Sequence, residues 1–465
     1  MTNSRSPASS ARASMSRRRL LAGLAAAALA LGTAACGDDA ESTDQTVTMW
    51  TFKNTHVAAL EQVAAEFKSR TGISVEIEAF TPDDVFTSKI QSAAQTGDLP
   101  DVLELHAGGE DLRIGGSGLL GDLAPDFPDS AMARFLPSTR AAGLVTEKRR
   151  AEQEEVKNAK VGSLFSVPFT AGTFGIVYAN RDKMKAAGLD PDKPPRTWEE
   201  FVGYLQATTR ADPKQGGLSL GLKVSQTGFN WIYEQLAFAH LGQAGFEALF
   251  DKDPARGFAS PDGLQTLRLY QQLTPYWIAG VSALGIDEAD VAFAQGKSAF
   301  NVGGTFTLAF LSQNGMSAEN LLTFPIPPPA GGKVTDLRLA PLALTGLSVS
   351  AQSRNRASAV RWIDHLTSPE GSGAFAKASL DLPATDLGAQ AATLLGPRLA
   401  ALQQYFTGPP ENTYDAANRG FRPPDYDEVQ VGDPLVKFSP LGETDPAATG
   451  TQLDKVIAGM WQKSG

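Results

Sequence analysis

The sequence is poor in the residues that bind metals and form disulfides. It contains a single cysteine, Cys36, and only four histidines, His56, His106, His240 and His365, among 465 residues. A disulfide needs a second thiol, and the histidines are too far apart along the chain for the paired spacing of a zinc site. We therefore expect neither an intrachain disulfide nor a bound metal.

The nucleotide-binding motifs of the sequence are incomplete. The glycines of "GSGLLG" at 116–121 have the spacing of a dinucleotide fingerprint, but the prolines of the following "DLAPDFPD" prevent the helix that this motif requires. A phosphate-binding loop ending in "GKS" at 296–298 would need a glycine where Val291 stands. The spacing Gly-x-Ser-x-Gly occurs in "GLSLG" at 217–221, but this motif indicates a nucleophile only where it forms a sharp strand-to-helix turn. The sequence therefore predicts no cofactor, and we interpret the protein as a binder and not an enzyme.

The chain lacks a hydrophobic run long enough to span a membrane, which takes about 20 apolar residues. The apolar tract Leu20–Ala35 is shorter and rich in alanine, and it follows three arginines at 17–19. This order is typical of a secretory signal, and "SRRRLL" resembles a twin-arginine variant. We predict that 1–35 is a signal peptide and that the protein is exported.

Cys36 has no partner thiol, so it either serves another chemistry or stays unused in a core. Its position directly after Thr33, Ala34 and Ala35 resembles the cleavage motif of bacterial lipoproteins. That resemblance implies that Cys36 becomes the N-terminus, carries a lipid and anchors the protein to the outer face of the cell membrane. The following "GDDAESTDQT" lacks apolar residues, and we predict a flexible tether at 36–46.

The charge balance of the chain is acidic. Removal of 1–35 takes away five arginines and no acidic residue, which changes the net charge from −10 to −15. A surface this acidic disfavours nucleic acid as a partner. Hydrophobic residues make up 42% of the chain, which is enough for a substantial core. A mature chain of about 430 residues predicts two domains.

Strand-like and helix-like segments alternate along the chain. "TVTMWTF" at 46–52 is followed by apolar residues at helical spacing, and "ISVEIEAF" at 73–80 precedes a helix for which Thr81 is the expected N-cap. Thr197, with Glu200 three residues later, predicts another helix start. The alternation indicates an α/β fold with mainly parallel strands. "PIPPPAGG" at 325–332 breaks regular structure and is a candidate crossing between domains.

Several segments together resemble a known family, the family 1 extracellular solute-binding proteins, which are lipid-anchored receptors of ATP-driven importers. The order and spacing of the segments carry the resemblance. They are "AEFKSRTGISVEIE" (65–78), "KIQSAAQTGDLPDVLEL" (89–105), "GLLGDLAP" (118–125), "VPFTAGTFGIVYANRDKMKAAGLDP" with "RTWEEF" (167–201), "FAQGKSAFNVGGTF" (293–306) and "SVSAQSRNRASAVRWIDHLTSPEGSGAFA" (348–376).

The resemblance implies a periplasmic-binding-protein type II fold, with two α/β lobes that are joined by a hinge and close on solute in the cleft between them. Each lobe is then discontinuous. The expected first lobe comprises 47–172 and 327–380, and the expected second lobe comprises 173–326 and 381–465. The resemblance also implies ABC transporter membrane subunits as partners and a monomeric receptor.

Aromatic rings beside acidic and amide groups indicate a carbohydrate, because sugar C–H faces stack on rings while sugar hydroxyls need directed polar partners. The resemblance places three candidates on the first lobe, with Trp50 after the first strand and His106 and Glu110 after the third. The candidates on the second lobe are Asn230, Trp231, Tyr233, Phe306 and Arg422. Each aromatic has the competing interpretation of a core residue, and Arg422 that of a surface ion pair.

Other functions stay open at this point. A receptor of the same fold for a non-sugar solute is one alternative. A lipid-anchored glycoside hydrolase is another, but it would need two opposed carboxylates, and no candidate pair stands out. A ferric-ion receptor would be expected to show adjacent tyrosines, which do not occur. A sensor built on the same closing trap is not distinguished from an importer receptor by sequence.

Overall fold

The computed structural model describes residues 46–406, 408–417, 421–423 and 426–463. The predicted signal peptide, Cys36 and all but the last residue of the predicted tether lie outside the described residues. Within the described part of the chain, no helix is both long and apolar enough to cross a membrane.

Short strands and longer helices alternate through the described chain. The strands are β1 Thr46–Thr51, β2 Ser74–Ala79, β3 Val102–His106, β4 Val167–Gly172, β5 Phe174–Asn180, β6 Leu218–Ser219, β7 Phe300–Gly304, β8 Leu321–Pro325, β9 Arg338–Leu339, β10 Leu342–Val349 and β11 Thr413–Tyr414. The helices are α1 Asn54–Thr71, α2 Asp83–Thr96, α3 Glu110–Gly116, α4 Asp129–Met132, α5 Glu147–Glu152, α6 Arg181–Ala186, α7 Trp198–Ala211, α8 Glu234–Ala248, α9 Pro261–Gln271, α10 Ile286–Ala294, α11 Thr307–Gln313, α12 Arg356–Leu366, α13 Pro369–Ser379, α14 Ala391–Gln403, α15 Glu428–Phe438 and α16 Pro446–Lys463.

The larger strands form two separate sheets. The first sheet has the order β2-β1-β3-β10-β4, and the second has the order β6-β7-β5-β8. β1 runs parallel to both β2 and β3, whereas β10 runs antiparallel to β3 and β4. Because β1 and β3 are parallel, their carboxyl ends, at Thr51 and His106, meet at one edge of the first sheet.

The chain passes between the two sheets more than once. β4 ends at Gly172 in the first sheet, and β5 begins at Phe174 in the second. The chain returns between Pro325, the end of β8, and Leu342, the start of β10. Gly172 is required at the first crossing, since a Cβ there would overlap the hydroxyl of Thr305 from the second-sheet side.

Two large cores accompany the two sheets. One centres on β1, β3, β4 and β10 with α1 and α12, and the other centres on β5, β7 and β8 with α7 to α9 and the C-terminal helices. We call these parts the first half and the second half. The predicted α/β class is therefore confirmed, and the boundaries expected for the two lobes stay a prediction. The segment that follows α13 pairs with the first sheet, since Leu382 accepts from Ala171 and Ala384 donates to Phe169.

Helix starts show where local sequence decides structure. Thr197 caps α7, because its hydroxyl accepts from the backbone N–H of Glu200 at 3.2 Å. The cap predicted at Thr81 is wrong. Pro82 occupies the N-cap position of α2, and its carbonyl accepts from Val85 and Phe86. Since the helix begins at Asp83, the Thr81 hydroxyl is one position too early and accepts instead from the Asn54 amide at 3.1 Å.

Candidate functional site

A buried cluster of charged side chains lies where β1 and β3 end. His56, in the first turn of α1, places Nδ1 2.9 Å from a Glu104 carboxylate oxygen and Nε2 3.0 Å from the Asp381 carboxylate. The Thr51 hydroxyl donates to Glu104 at 2.6 Å, and the Lys53 ammonium donates to Asp381 at 3.2 Å. The histidine and both carboxylates are buried, whereas the Lys53 side chain is 15% exposed. We call these five residues the charge cluster.

The electrostatics of the charge cluster favour an imidazolium. Burial by itself lowers the pKa of His56, but Glu104 and the hydrogen bonds to both carboxylates outweigh it and raise the pKa. Burial by itself raises the pKa of Asp381, but the charges of Lys53 and His56 and their hydrogen bonds lower it to about 2. Each ring nitrogen of His56 lies within hydrogen-bond distance of a carboxylate, an arrangement that favours the imidazolium form.

Lys53 connects the charge cluster to the second half of the molecule. Its ammonium lies 5.4 Å from the centroid of the Phe306 ring, within the range of a cation–π contact. Phe306 is half-buried and belongs to a group of three rings. The rings of Phe174 and Trp231 stack in parallel with centroids 5.2 Å apart, and each lies 6.3 Å from Phe306 at 73°. We call Phe174, Trp231 and Phe306 the aromatic wall.

Buried polar groups of the second half position Phe306. It follows β7 and directly precedes Thr307, whose hydroxyl donates to Asp290 at 3.2 Å. Asn301, on β7, donates to the same carboxyl at 2.6 Å. Burial raises the pKa of Asp290 to about 8, although these two hydrogen bonds act in the opposite direction. The turn that carries Phe306 is therefore tied to α10 through Asp290.

The first half presents a stacked pair of rings beside Lys53. Phe52 and His106 stack with centroids 4.1 Å apart. The side chain of His106, 47% exposed, lies 3.1 Å from Glu110 and 3.6 Å from Asp83. Burial tends to raise the pKa of Glu110, but the hydrogen bond and the charge of His106 lower it overall. The structure thus brings the predicted residues His106 and Glu110 together, with the imidazole exposed and only 12% of the Glu110 side chain exposed.

A cavity of 1230 Å³ lies between segments of both halves. Its lining includes Leu136 and Ser138 from the first half and Phe238 and Phe246 from the second. The full lining is Leu136, Pro137, Ser138, Phe238, Gln243, Phe246, Ala340, Pro341, Asp386, Leu387, Gly388, Ala391, Gln403, Phe406, Gly408, Pro410, Glu411, Thr413, Tyr414, Asp415 and Phe421. We call it the large cavity.

Two aromatic candidates lie elsewhere than expected. Trp50 is inside β1 and not after it, and only 8% of it is exposed. Its ring packs against Phe80 at 5.0 Å, under the ammonium of Lys89. Tyr233 is fully buried, and its hydroxyl is already paired with Thr266 at 2.6 Å. The interpretation of Tyr233 as a solute contact is corrected, since its side chain has no exposed surface in this conformation.

Arg422 also needs a correction. Only 5% of it is exposed, and its guanidinium forms an ion pair with the buried Glu234. Its charge centre lies 4.7 Å from the Phe250 ring and 4.8 Å from the Tyr426 ring. Burial tends to lower the pKa of Arg422, but the charge of Glu234 outweighs this effect, and the net result is a raised pKa. Arg422 is therefore neither a free donor for hydroxyls nor a surface ion pair, and it is part of the interior of the second half.

The remaining candidates lie at or near the aromatic wall. Trp231 is 6% exposed, with one face stacked on Phe174. Asn230, half-buried, donates to Glu428 at 2.7 Å. Sequence reasoning missed Phe52, Lys53 and Phe174, although the first two directly follow the first strand. It had no local signal for Asp381, which lies 328 residues from Lys53.

Comparisons with known proteins identify the family of the chain. The family model described as bacterial extracellular solute-binding protein matches residues 53–372, which is more than half of the chain. The chain therefore belongs to this family of solute-binding proteins. The sn-glycerol-3-phosphate-binding periplasmic protein UgpB of Salmonella paratyphi A is 26% identical over 230 residues, which are 48% of this chain and 47% of UgpB. The chain thus spans about half the length of the curated relatives it matches.

Solved structures share the fold over nearly the whole chain. The GacH receptor of Streptomyces glaucescens, solved unliganded and with acarbose, superposes with a TM-score of 0.65 at 17% identity, covering 91% of this chain and 100% of GacH. A structure from work on xylan utilization by the thermophilic bacterium Caldanaerobius polysaccharolyticus has a TM-score of 0.65 at 19% identity, covering 88% of this chain and 99% of its own. The predicted two-lobed type II fold is confirmed.

The charge cluster makes stability depend on pH in a definite direction. The folded pKa of His56 is raised above its ordinary value of 6.5, so its contribution is complete below about 6.5 and is lost as pH rises through the folded pKa. We expect the free energy of unfolding to fall over that alkaline range, with a slope of at most about 1.4 kcal/mol per pH unit for one proton. Urea unfolding at a series of pH values measures this slope.

The variant His56→Gln should lose the part of this slope that His56 contributes and keep the part from other groups such as Asp290, whose pKa is also raised. His365→Gln should keep the slope of the wild type. His365 is a suitable control because burial and Arg70 lower its pKa, so its titration has the opposite sign. If wild type and His56→Gln have the same alkaline slope, His56 is not the titrating group.

Proposed function

We propose that this protein is a carbohydrate receptor that closes on its solute between the two halves and delivers it to an ABC importer. The observation that carries the proposal is the position of Phe306. Its half-buried ring belongs to the aromatic wall of the second half and meets Lys53 of the first half at 5.4 Å. A sugar ring stacked on Phe306 would have Lys53, His106 and Glu110 nearby as partners for its hydroxyls.

The related structures support a sugar. GacH was solved with acarbose, and the structure from Caldanaerobius polysaccharolyticus comes from work on xylan utilization. UgpB, by contrast, is named for sn-glycerol 3-phosphate. A phosphate ester needs cationic partners, but Lys53 is already paired with Asp381, and Asp83 and Glu110 lie beside His106. The acidic surroundings therefore favour an uncharged solute over a phosphate ester.

The proposal includes binding without chemical change. Hinge closure buries a solute between two domains without needing a catalytic group. The expected partners are the solute, the membrane subunits of the importer and the bilayer that holds the lipid on Cys36. We propose that the receptor acts as a monomer on the outer face of the cell membrane.

A thermal-shift screen tests the solute class. Maltotriose, xylotriose, raffinose and sn-glycerol 3-phosphate should be compared at equal, saturating concentrations. A neutral sugar should raise the melting temperature through mass action on the folded state, and the phosphate ester should not. Chromatography should recover the sugar unchanged. A shift with the phosphate ester alone would contradict the carbohydrate proposal, and turnover to hydrolysed sugar would favour a glycosidase.

The role of Phe306 is tested by a matched pair of variants on one helix turn. We expect Phe306→Ala to weaken binding of the sugar found in the screen by about 1 to 3 kcal/mol, the scale for losing an aromatic contact in a desolvated site. Phe310→Ala is the control, because Phe310 is also half-buried and is not part of the aromatic wall. Calorimetric titration gives both affinities. Equal affinities in the two variants would remove Phe306 from the binding surface.

The anchor is tested by Cys36→Ala. A saturated acyl chain contributes about 0.8 kcal/mol per buried methylene, so the parent should incorporate labelled palmitate and fractionate with membranes. The alanine variant should fold normally and lack the label. If the parent never incorporates the label, Cys36 is not a lipid attachment site.

A further inference from the structure

A chain of buried hydrogen bonds runs through the second half toward the Phe306 ring. The Ser298 and Ser219 hydroxyls lie 2.8 Å apart, and Ser219 donates to the side-chain oxygen of Asn301 at 2.7 Å. Because that oxygen is occupied, the amide nitrogen of Asn301 is the atom that faces Asp290, at 2.6 Å. All four of these polar side chains are buried. The orientation of Asn301 therefore fixes one oxygen of the Asp290 carboxyl.

The other end of the chain reaches the ring itself. The Thr307 hydroxyl lies 3.2 Å from the second oxygen of Asp290 and accepts from the Gly304 N–H at 3.3 Å. The Gly304 carbonyl accepts from the buried Tyr178 hydroxyl at 2.7 Å. Gly304 also supports the ring directly, since a Cβ there would overlap the Phe306 ring. The place of the ring thus depends on the contact between Thr307 and Asp290.

Asp290 is a buried carboxyl in negative surroundings. Among the described residues, no cation acts on it, whereas the charge of Asp287, on the same helix, raises its pKa together with burial. Glu288 and Asp83 act in turn on Asp287. The titratable group that acts together with Asp290 on β5 is the Tyr178 hydroxyl. The segments β6, β7 and α11 contain no charged residue.

The neutral form of Asp290 fits these surroundings. Its carbonyl oxygen accepts from Asn301, and its hydroxyl can share a hydrogen bond with Thr307, because a threonine hydroxyl both donates and accepts. The pKa of about 8 agrees with a carboxyl that keeps its proton at neutral pH. Both contacts of the carboxyl therefore exist without a buried charge.

The ionised form is strongly unfavourable unless water reaches it, because no positive charge compensates it. Of the two segments that contact Asp290, β7 lies inside the sheet between β6 and β5. The turn that carries Thr307 also carries Phe306, which is half-buried. The turn is therefore the side of Asp290 that can move to admit water.

We propose that Asp290 is a positioning residue for Phe306 and makes the solute site sensitive to pH. In its neutral form Asp290 holds the turn, and Phe306 keeps its place in the aromatic wall. When Asp290 gives its proton to solvent, the turn loosens and the ring leaves that place. The receptor then binds solute less tightly at alkaline pH. This last consequence rests on the proposed function, whereas the coupling between Asp290 and the ring does not.

The coupling is tested without any solute through the emission of Trp231, whose ring lies 6.3 Å from that of Phe306. The chain has six tryptophans, so the emission of Trp231 is taken as the difference between each protein and the same protein carrying Trp231→Phe. Between about pH 6 and about pH 9.5, the wild-type difference should change with a midpoint near the pKa of Asp290, which is about 8. Asp290→Asn, which is neutral and has the same shape, should show no such change.

Asp287→Asn is the matched control for this titration. Asp287 lies on the same helix and is exposed, and it is not part of the chain of hydrogen bonds. The control should keep the change in Trp231 emission, displaced slightly to lower pH, since a negative charge that acts on Asp290 is removed. A constant wild-type emission, or the same change in Asp290→Asn, would overturn the proposal.

A second measurement follows the affinity for the sugar found in the thermal-shift screen. The wild-type affinity should be constant below about pH 7 and fall above the pKa of Asp290 by at most about tenfold per pH unit. Asp290→Asn should bind like the wild type at about pH 6 and keep that affinity at alkaline pH. Asp290→Ala, which loses both contacts, should bind about tenfold more weakly or worse at every pH.

A merely structural carboxyl would not give this pattern, because its replacement by asparagine would leave the pH profile of binding unchanged. If the affinity of Asp290→Asn falls with pH as that of the wild type does, the proposal is overturned, and this comparison does not need Asp290→Ala to fold. If no sugar binds, the carbohydrate proposal fails, and the emission titration still decides whether Asp290 controls the ring.

Discussion

The bridge that His56 forms between two buried carboxylates is the interaction on which the arrangement of the first half depends. Two carboxylates from distant segments, Glu104 on β3 and Asp381 after α13, are buried and need a compensating charge. His56 supplies it between them, and Lys53 supplies a second positive charge to Asp381 at 3.2 Å. Because removing one member would leave an uncompensated charge, the cluster fixes the segment after α13 against the ends of β1 and β3. That fixed edge is the one that faces the aromatic wall.

The second half is built on a comparable pair, used for a different purpose. Glu234, at the start of α8, accepts a hydrogen bond from the Tyr414 hydroxyl and forms an ion pair with the Arg422 guanidinium. These partners come from the C-terminal part of the chain, so the pair holds that part against the helix that follows Trp231. In the first half the buried charges hold Lys53, which is partly exposed, whereas in the second half the buried pair holds Tyr414 and packs against Phe421.

Local patterns predicted the fold well and the site only in part. Period-two and helical spacing identified β1, α1, β2 and α2, and the cap at Thr197 was correct because a cap is a local interaction. His106 and Glu110 were predicted because the family resemblance places site loops after the third strand, and the structure places them 3.1 Å apart. The Lys53–Asp381 contact was not predictable, since 328 residues separate its partners. Sequence could not distinguish Tyr233, a buried ring with a paired hydroxyl, from Phe306, a half-buried one, because tertiary packing alone decides burial.

Charge explains why a common fold can serve unlike solutes in this family. Recognition of a phosphate requires a cationic group that is free to bind it. Here Arg422 forms an ion pair with Glu234, and Lys53 forms one with Asp381. Each pairing lowers the positive potential available to a solute and places a carboxylate close by. An incoming anion would have to compete with a buried carboxylate for Lys53 or Arg422, which costs several kcal/mol per displaced ion. In the function that we propose, a neutral sugar would need no such exchange, because its C–H face would stack on the aromatic wall and its hydroxyls would reach His106 and Glu110. The same internal ion pairs that stabilise the two halves therefore favour a neutral solute in that proposal.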